Sequence, residues 1–370
     1  MSVNTIKGGG SVERILKLHK NLNEIEGVDS QILSINSDHE LQSEFSENEI
    51  TQLPCWNKRW YIPIPRLKVV KDLILWADVV HIMNHWTFIN AWAYLLVRIF
   101  KKPYIVCPAG ALTIYGRSKI LKKLYHYFIG HRLIKNASAG IVISEDEIEL
   151  LIKEGLSLSK IHHVPNGVSE TDFIYENTSL FRKKMGINDV PYILYIGRLN
   201  IIKGPDILLE AYLQLESEIS HHLIFVGPDE GLKNHLESIL DKYKSENRVH
   251  FLDYAGGDLK SSAYHGAEIL VVPSRQEAMS IVALEAAVTS TPVLLSDKCG
   301  FSALAEAGGA IEVSPDIDDM KKKLLLLINS PEKLKDMGSA GKIFVQKNYT
   351  WSNITQKYLN IFSSIMNNAN

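Results

Sequence analysis

Two carboxylates stand eight positions apart in the stretch SRQEAMSIVALEA, residues 274–286, with a mostly apolar run between them. The preceding letters EILVVPS are typical of a buried strand, and Ser280 is a suitable cap for a helix that follows. Glu277 is therefore predicted to lie before the helix and Glu285 inside it, about 8 to 9 Å further along at ~1.5 Å per residue. We expect each carboxylate to accept hydrogen bonds from a different part of one long ligand rich in hydroxyl groups.

This spacing bears on which carboxylate chemistry is possible. A retaining glycosidase needs its two carboxyl groups only ~5 Å apart, so a nucleophile and acid pair of that kind is disfavoured. The wider separation of an inverting enzyme stays open. A second alternative is that Glu285 faces solvent, but the apolar neighbours Ala283, Leu284 and Ala286 indicate a packed helix in which an unpaired carboxylate would be costly.

Two basic residues follow another strand-like run, in YILYIGRLNIIKGPDILLEAY, residues 192–212. Arg198 and Lys203 come after the run, and Gly204-Pro205 predicts the start of a helix, since proline is favoured at the first helical position. Both cations would lie between the carboxyl end of a strand and the amino end of a helix, where free N–H groups favour an anion. The pattern fits a diphosphate site. The alternative is that both are solvated loop cations.

The composition limits the class of protein. The 370 residues suggest two domains, and the net charge of -2 provides no global field for nucleic acid. Three separated cysteines without a CxxC pair favour a reducing compartment and argue against a disulfide framework or a structural zinc site. The sequence shows neither a signal-peptide pattern nor an apolar window of membrane-spanning length, so we expect a cytoplasmic protein.

Short apolar runs alternate with segments of helical period along almost the whole chain, which is typical of βα units and parallel sheets. The turn letters PNGV, residues 165–168, suggest the junction between two such series. The predicted fold is α/β, with two Rossmann-like, doubly wound parallel-sheet lobes facing a cleft. The predicted domains are 1–164, 165–350 and a closing helix, 351–370, that packs back on the first lobe. The predicted strands are ILSI (32–35), DVVHI (78–82), PYIVC (103–107), GIVIS (140–144), YILYIG (192–197), LIFVG (223–227), VHFLD (249–253), EILVVPS (268–274) and PVLLS (292–296).

Four landmarks in the second half carry a resemblance to a known family. They are PNGV, GRLNIIKG (197–204), PSRQEAMSIVALEA with its two glutamates, and TPVLLSD (291–297), in that order. The chain resembles the retaining glycosyltransferases of the GT-B fold, group 1, family four. The closing NYTWSNITQKYL is similar to the last helix of that family, while ADVVHIMNH, PYIVCPAGAL and ASAGIVISEDEIELL in the first half resemble it more weakly.

The resemblance implies roles for individual residues. Arg198 and Lys203, after Gly197, would bind the diphosphate of a nucleotide sugar, Glu285 the ribose hydroxyls and Glu277 the donor hexose. The backbone of Ala278, Met279, Ser280 and Ile281 would approach the sugar. The first lobe would bind the acceptor, and Gly9 and Gly10 of the GGGS loop (8–11) would reach the phosphates from the opposite side. The alternative for that loop is a tail leading into the helix VERILKLHKNLNE.

The chain departs from the family pattern at several positions. Ala278 and Ser290 stand where glycine is common, and Ala109 stands where a histidine often contacts the sugar. Gly8 comes early for the family pattern, so either VNTI forms the whole first strand or the chain starts late.

The predicted function is hexosyl transfer from a UDP- or GDP-sugar to a glycan or lipid-linked acceptor. The resemblance implies retained configuration, and we expect neither a cofactor nor a metal ion, because Arg198, Lys203 and the helix start would stabilise the leaving diphosphate. Such an enzyme would serve cell-surface polysaccharide or glycolipid synthesis. Two alternatives stay open, namely a sugar-nucleotide epimerase of the same architecture and a non-catalytic nucleotide-sugar-binding subunit.

Two further segments suggest sites. His81 and His85 are four positions apart, but His81 ends a predicted strand. A metal pair is therefore the less favoured interpretation, and a place in the acceptor pocket is the alternative.

Residues 116–135 mix basic and apolar side chains at helical spacing. They predict either a solvated amphipathic helix or peripheral contact with anionic lipid at the inner face of the cell membrane.

Overall fold

The computed structural model describes residues 10–35, 49–57, 62–64, 66–112, 119–187, 189–243 and 248–369. The chain forms two compact units, one made of Met1–Asn166 with Trp351–Asn370 and the other of Gly167–Thr350. We refer to them as unit 1 and unit 2. Both are built from parallel sheets and helices, which confirms the predicted two-lobe α/β fold.

The described strands of unit 1 form three separate groups. β1 and β2 pair in parallel, β3 and β4 pair antiparallel, and β5 to β8 form a four-stranded parallel sheet in chain order. The sequence predicted β1, β5, β6 and β7 but not β2, β3, β4 or β8. The strands are β1 Ile32–Ile35, β2 Ile50–Leu53, β3 Cys55–Asn57, β4 Ile62–Pro63, β5 Val80–Met83, β6 Tyr104–Cys107, β7 Ala139–Val142 and β8 Ile161–His163.

From β5 to β8, helices alternate with the strands of unit 1, as a βα series requires. A π-helix, His126–Gly130, interrupts the segment between α4 and α5, and a 3-10 turn, Leu158–Lys160, precedes β8. The α-helices are α1 Gly10–Asn23, α2 Leu67–Trp76, α3 Phe88–Ile99, α4 Lys119–Tyr125, α5 His131–Lys135 and α6 Asp146–Lys153.

Unit 2 contains one six-stranded sheet in which all neighbouring strands are parallel. Its strands are β9 Tyr192–Ile196, β10 His222–Val226, β11 Val249–Leu252, β12 Ile269–Val272, β13 Val293–Ser296 and β14 Ala310–Val313. The spatial order is β11-β10-β9-β12-β13-β14, the doubly wound order 3-2-1-4-5-6 of a dinucleotide-binding fold. The chain reverses direction across the sheet between β9 and β12, and ligands of such sheets bind at the carboxyl ends of the strands on either side of this point.

The helices of unit 2 cover this sheet, and a 3-10 turn, Glu170–Phe173, precedes them. One core cluster, formed by α8, α9, α13 and α14 against the strands, includes Tyr195, Leu208, Phe225 and Leu324. The helices are α7 Ser179–Met185, α8 Pro205–Leu213, α9 Lys233–Tyr243, α10 Gly257–Gly266, α11 Ile281–Val288, α12 Ser302–Glu306, α13 Ile317–Ile328 and α14 Pro331–Asn348.

The closing helix α15, Trp351–Ala369, belongs to unit 1 and contacts α1. Arg14 of α1 is buried, and its guanidinium donates hydrogen bonds to the carbonyls of Val164 and Pro165, to Asn166 Oδ1 and to Tyr358 Oη, at 2.7 to 2.9 Å. A buried guanidinium needs such partners because its charge has left water. Arg14 therefore joins α1, the end of residues 1–166 and α15.

Candidate functional site

The loop after β9 brings Lys203 to the start of α8. Pro205 is the first residue of α8, as predicted, and Gly204 caps it with φ 68°, in the left-handed region. A Cβ on Gly204 would lie 2.2 Å from the carbonyl oxygen of Pro273, which follows β12. Glycine is therefore required here, because only its absent side chain lets the loops after β9 and β12 touch.

Lys203 and Glu277 meet at this junction. Lys203 Nζ donates to Glu277 Oε1 at 2.7 Å, and Ser274 Oγ donates to Glu277 Oε2 at 3.1 Å. The backbone N–H of Glu277 donates to the carbonyl of Lys298, so its main chain is fixed as well. The lysine side chain is 22% exposed and the glutamate side chain 14% exposed, so the pair is partly shielded yet reachable from solvent.

Arg198 lies in the same loop but is more exposed. Its Nη1 donates to Glu230 Oε1 at 2.8 Å, and Asn200 donates to the other carboxylate oxygen at 2.7 Å. The arginine side chain is 40% exposed, and an ion pair that exposed contributes only about 0 to 1 kcal/mol. An incoming anion could therefore redirect Arg198 at little energetic cost.

A third cation, Arg275, was not singled out from the sequence. Its guanidinium forms a two-pronged pair with Asp206, at 2.8 and 2.6 Å, and donates to the carbonyl of Ile201 at 2.6 Å. The hydrogen bonds to Asp206 raise the pKa of Arg275. Arg275 thus fastens the loop after β12 to both the loop after β9 and the first turn of α8. The sequence signal that could have identified Arg275 as a site residue is its position, two residues before Glu277.

Glu285 lies on α11 and is buried. Lys260 Nζ donates to Oε1 and Tyr264 Oη donates to Oε2, both at 2.6 Å. The packed helix predicted around Glu285 is present, and Ser280 caps its start. Since both carboxylate oxygens already have protein partners, a ligand hydroxyl would have to share or replace one. Lys260 and Tyr264 lie on α10 and could not be found from local sequence, because only tertiary packing brings α10 beside α11.

The remaining predicted residues fall in different places. Met279 and Ser280 are buried, while Ala278 and Ile281 are half-buried at the start of α11. Gly197 directly follows β9, and a Cβ on Gly227 would lie 2.0 Å from the Gly197 carbonyl oxygen. Gly10 is exposed and begins α1 in unit 1. Gly8 and Gly9, and the predicted strand VNTI, lie outside the described residues.

Together, Arg198, Lys203 and Arg275 each have a carboxylate partner, so this junction is close to neutral without a ligand. Cys299 Sγ lies 4.0 Å from Glu277 Oε2, and burial raises the pKa of the thiol, which stays protonated and is a poor nucleophile. The arrangement can therefore bind an anion and accept hydrogen bonds from hydroxyl groups, at the two strand ends where the sheet order reverses.

The two histidines considered as a metal pair have different surroundings. The His81 ring lies 5.4 Å from that of Tyr358, whereas His85 contacts Trp86 and His126. Burial lowers the pKa of each imidazole to about 3, so both are neutral at pH 7. Their separate environments favour packing roles over a shared ion.

Comparison with known proteins identifies the family of the chain. Residues 8–172 match the model of Glycosyltransferase Family 4, and residues 177–344 match that of Glycosyl transferases group 1. The chain belongs to the group 1, family 4-like glycosyltransferases. This chain is 26% identical over 214 residues to an uncharacterized glycosyltransferase of Methanocaldococcus jannaschii. The match covers 56% of this chain and 55% of the relative.

One further relative is similar to the chain in sequence, and one solved structure is similar to it in fold. A GDP-mannose-dependent monoacylated alpha-(1-6)-phosphatidylinositol monomannoside mannosyltransferase of Corynebacterium glutamicum is 25% identical, over 69% of this chain and 73% of the relative. Anabaena HepE, solved with UDP and glucose, has a TM-score of 0.80 at 18% identity and covers 98% of both chains, a likeness that concerns the GT-B fold alone. The chain spans about half of the length of the first curated relatives that it matches. Among its described helices, none combines the length and apolar character needed to cross a bilayer.

Proposed function

We propose that this glycosyltransferase-family protein transfers a hexosyl group from a nucleotide sugar, a UDP- or GDP-sugar, to a glycan or lipid-linked acceptor. The anomeric configuration is retained and no metal ion takes part. Unit 2 binds the donor and unit 1 the acceptor. The product serves cell-surface polysaccharide or glycolipid synthesis at the cytoplasmic side of the membrane.

The observation that best supports this function is the ion pair between Lys203 and Glu277. It lies at the strand ends where the strand order of the unit 2 sheet reverses. A cation and a carboxylate at 2.7 Å suit two adjoining parts of one donor, its diphosphate and its hexose. The diphosphate would take Lys203 and the N–H groups at the start of α8, and a hexose hydroxyl would donate to Glu277.

In the proposed reaction, the bond between the anomeric carbon and the diphosphate oxygen breaks as the acceptor hydroxyl attacks from the same face. The charge that develops on the leaving diphosphate is stabilised by Lys203, by Arg198 once it leaves Glu230, and by α8. The leaving phosphate accepts the proton of the acceptor hydroxyl, so the proposal assigns no protein base. Glu285 accepts the ribose hydroxyls, with Lys260 and Tyr264 fixing its carboxylate.

The matched family models and relatives are glycosyltransferases, which favours transfer over an epimerase or a non-catalytic subunit. We include a lipid-linked acceptor in the proposal because α4 and the π-helix expose an apolar face beside Lys123. The exposed apolar side chains are Ile120, Leu124, Tyr127 and Phe128. An apolar face flanked by lysine suits contact with anionic lipid.

The test is a panel of UDP-, GDP- and ADP-sugars, followed by mass spectrometry for hydrolysis, transfer to glycan and lipid acceptors, or conversion of the donor. Transfer with one donor supports the proposal. Lys203→Ala should lower kcat/KM by about 100- to 1,000-fold, as for the loss of one group that stabilises developing charge. Lys335→Ala is the matched control, since Lys335 is exposed on α14. Conversion of the donor without an acceptor, or near wild-type turnover of Lys203→Ala, would contradict the assignment.

A further inference from the structure

Three potential metal ligands come together in unit 1. Glu154 Oε2 lies 3.0 Å from His126 Nε2 and 3.0 Å from His131 Nδ1, and the three ligand atoms all lie within 4.8 Å of one another. All three side chains are partly exposed, so an ion from solvent can reach them. Among the described residues, this is the group of three or more histidine, cysteine or acidic side chains that could hold a metal.

The local backbone explains how the two histidines converge. His126 begins the π-helix and His131 begins α5 directly after it, while Glu154 ends α6 as its C-cap. A π-helix widens the turn within a helix and occurs frequently at functional sites. Here it allows two imidazoles five positions apart to direct a ring nitrogen at the same carboxylate oxygen.

A contact with His85 holds His126 in place. The Nε2 atom of buried His85 lies 3.2 Å from His126 Nδ1, so the other His126 nitrogen is the one directed at Glu154. A Cβ on Gly130 would lie 2.5 Å from His85 Nε2 and 2.9 Å from His126 Nδ1. Glycine at 130 therefore makes room for this contact between histidines. Metal-binding histidines are characteristically oriented in this way through their second nitrogen.

We propose that His126, His131 and Glu154 bind a Zn²⁺ ion. Two imidazoles and one carboxylate, with a fourth position for water, form a ligand set that zinc takes in proteins. With zinc to ligand distances of ~2.0 to 2.2 Å, the ligand atoms of a tetrahedral site lie ~3.3 to 3.5 Å apart. The two 3.0 Å separations from Glu154 are close to this spacing, and the two imidazole nitrogens lie within 4.8 Å of each other. Since all three side chains are partly exposed, they can move to complete the site.

The proposed ion differs in place and role from the donor site. Its ligands belong to unit 1, whereas Lys203 and Glu277 belong to unit 2. By joining the π-helix to the end of α6, zinc would fix the segment that carries the exposed apolar face. The inference does not depend on the proposed transfer reaction, and the absence of metal from that reaction is unaffected.

The test measures zinc binding to the full chain after treatment with a chelator, by competition with a chromophoric chelator and by thermal unfolding. The wild type should bind one ion per chain and unfold at a higher temperature with zinc. Loss of a residue that hydrogen-bonds to a metal ligand weakens binding by ~10- to 100-fold. His131→Gln and Glu154→Gln should each weaken binding by far more than this and should remove the rise in unfolding temperature.

The control variant is His222→Gln. His222 Nδ1 and His250 Nε2 lie 2.7 Å apart in unit 2 and form the competing histidine pair. This variant should bind zinc like the wild type. The proposal is wrong if the wild type binds no zinc, or if His222→Gln loses binding while His131→Gln and Glu154→Gln retain it. Circular dichroism of each metal-free variant confirms that the fold is intact.

Discussion

At the scale of single residues, Glu277 has two functions in the proposed mechanism, one before the donor binds and one after. It neutralises Lys203 when no ligand is bound, and it would contact the hexose when the donor arrives. The two functions predict opposite effects of removing its charge, because the nucleoside diphosphate alone makes no contact with Glu277, while the hexose of the intact donor does.

We therefore expect Glu277→Gln to bind the nucleoside diphosphate more tightly, by up to about 5-fold, since a partly exposed ion pair contributes at most ~1 kcal/mol. The same variant should lose about 10- to 100-fold in kcat/KM with the intact donor, the loss of one charged hydrogen bond. Calorimetry with the diphosphate and steady-state kinetics measure the two effects.

Glu237→Gln, at an exposed position on α9, is the control for the loss of one carboxylate. Weaker diphosphate binding by Glu277→Gln would show that the carboxylate supports the anion site rather than competing with it. Unchanged turnover would remove Glu277 from the sugar site.

At the scale of elements, the close approach of the loops after β9 and β12 depends on Gly204. Gly186, after α7, provides a matched comparison, because its φ of 67° equals that of Gly204 within one degree but nothing lies within 4 Å of its Cβ position. Gly186→Ala should lower the free energy of unfolding by about 1 kcal/mol through backbone strain alone. Gly204→Ala adds a collision with the Pro273 carbonyl and should lower it by a further ~1 to 3 kcal/mol.

Chemical denaturation measures both variants, and diphosphate titration distinguishes them further. Gly204→Ala should weaken binding because Lys203 shifts with the loop, whereas Gly186→Ala should leave it unchanged. Equal stability losses would mean that the two loops are not held together at this point.

The elements also show what local sequence can and cannot predict. The starts of α8 and α11 were predicted because Pro205 and Ser280 act on their own helix. β14 was missed because its two central residues are half-buried and its run is less apolar. The pairings of Glu285 with Lys260 and of Arg275 with Asp206 were missed because each joins segments far apart in the chain. The family resemblance, rather than periodicity, suggested which cations and carboxylates belong to one site.

For the whole molecule, the exposed apolar face of α4 and the π-helix predicts membrane contact. Ile120 is 78% exposed and Tyr127 75% exposed, and no described part of unit 1 covers them. The protein should bind vesicles that contain anionic lipid, and salt should weaken this binding because the lysine contribution of ~1 kcal/mol per residue is screened. Ile120→Ser with Tyr127→Ser should abolish it in a sedimentation assay.

Ile343→Ser is the control, since Ile343 is as exposed on α14 of unit 2. Binding that survives the paired substitutions, or that is equally lost with Ile343→Ser, would mean that this face does not meet the bilayer. Failure to bind at low salt would leave the segment as a solvated helix.

The discontinuity of unit 1 has a consequence for biosynthesis. The ribosome must add all of Gly167–Thr350, 184 residues, between the two pieces of that unit. At ~5 to 20 residues per second, the addition of these residues alone takes roughly 10 to 40 s. During this interval the guanidinium of Arg14 lacks the phenol of Tyr358, its partner across 344 positions. Unit 2, being continuous, can finish folding first, and the nascent chain exposes the unfinished surface of α1 to chaperones until its partner helix arrives.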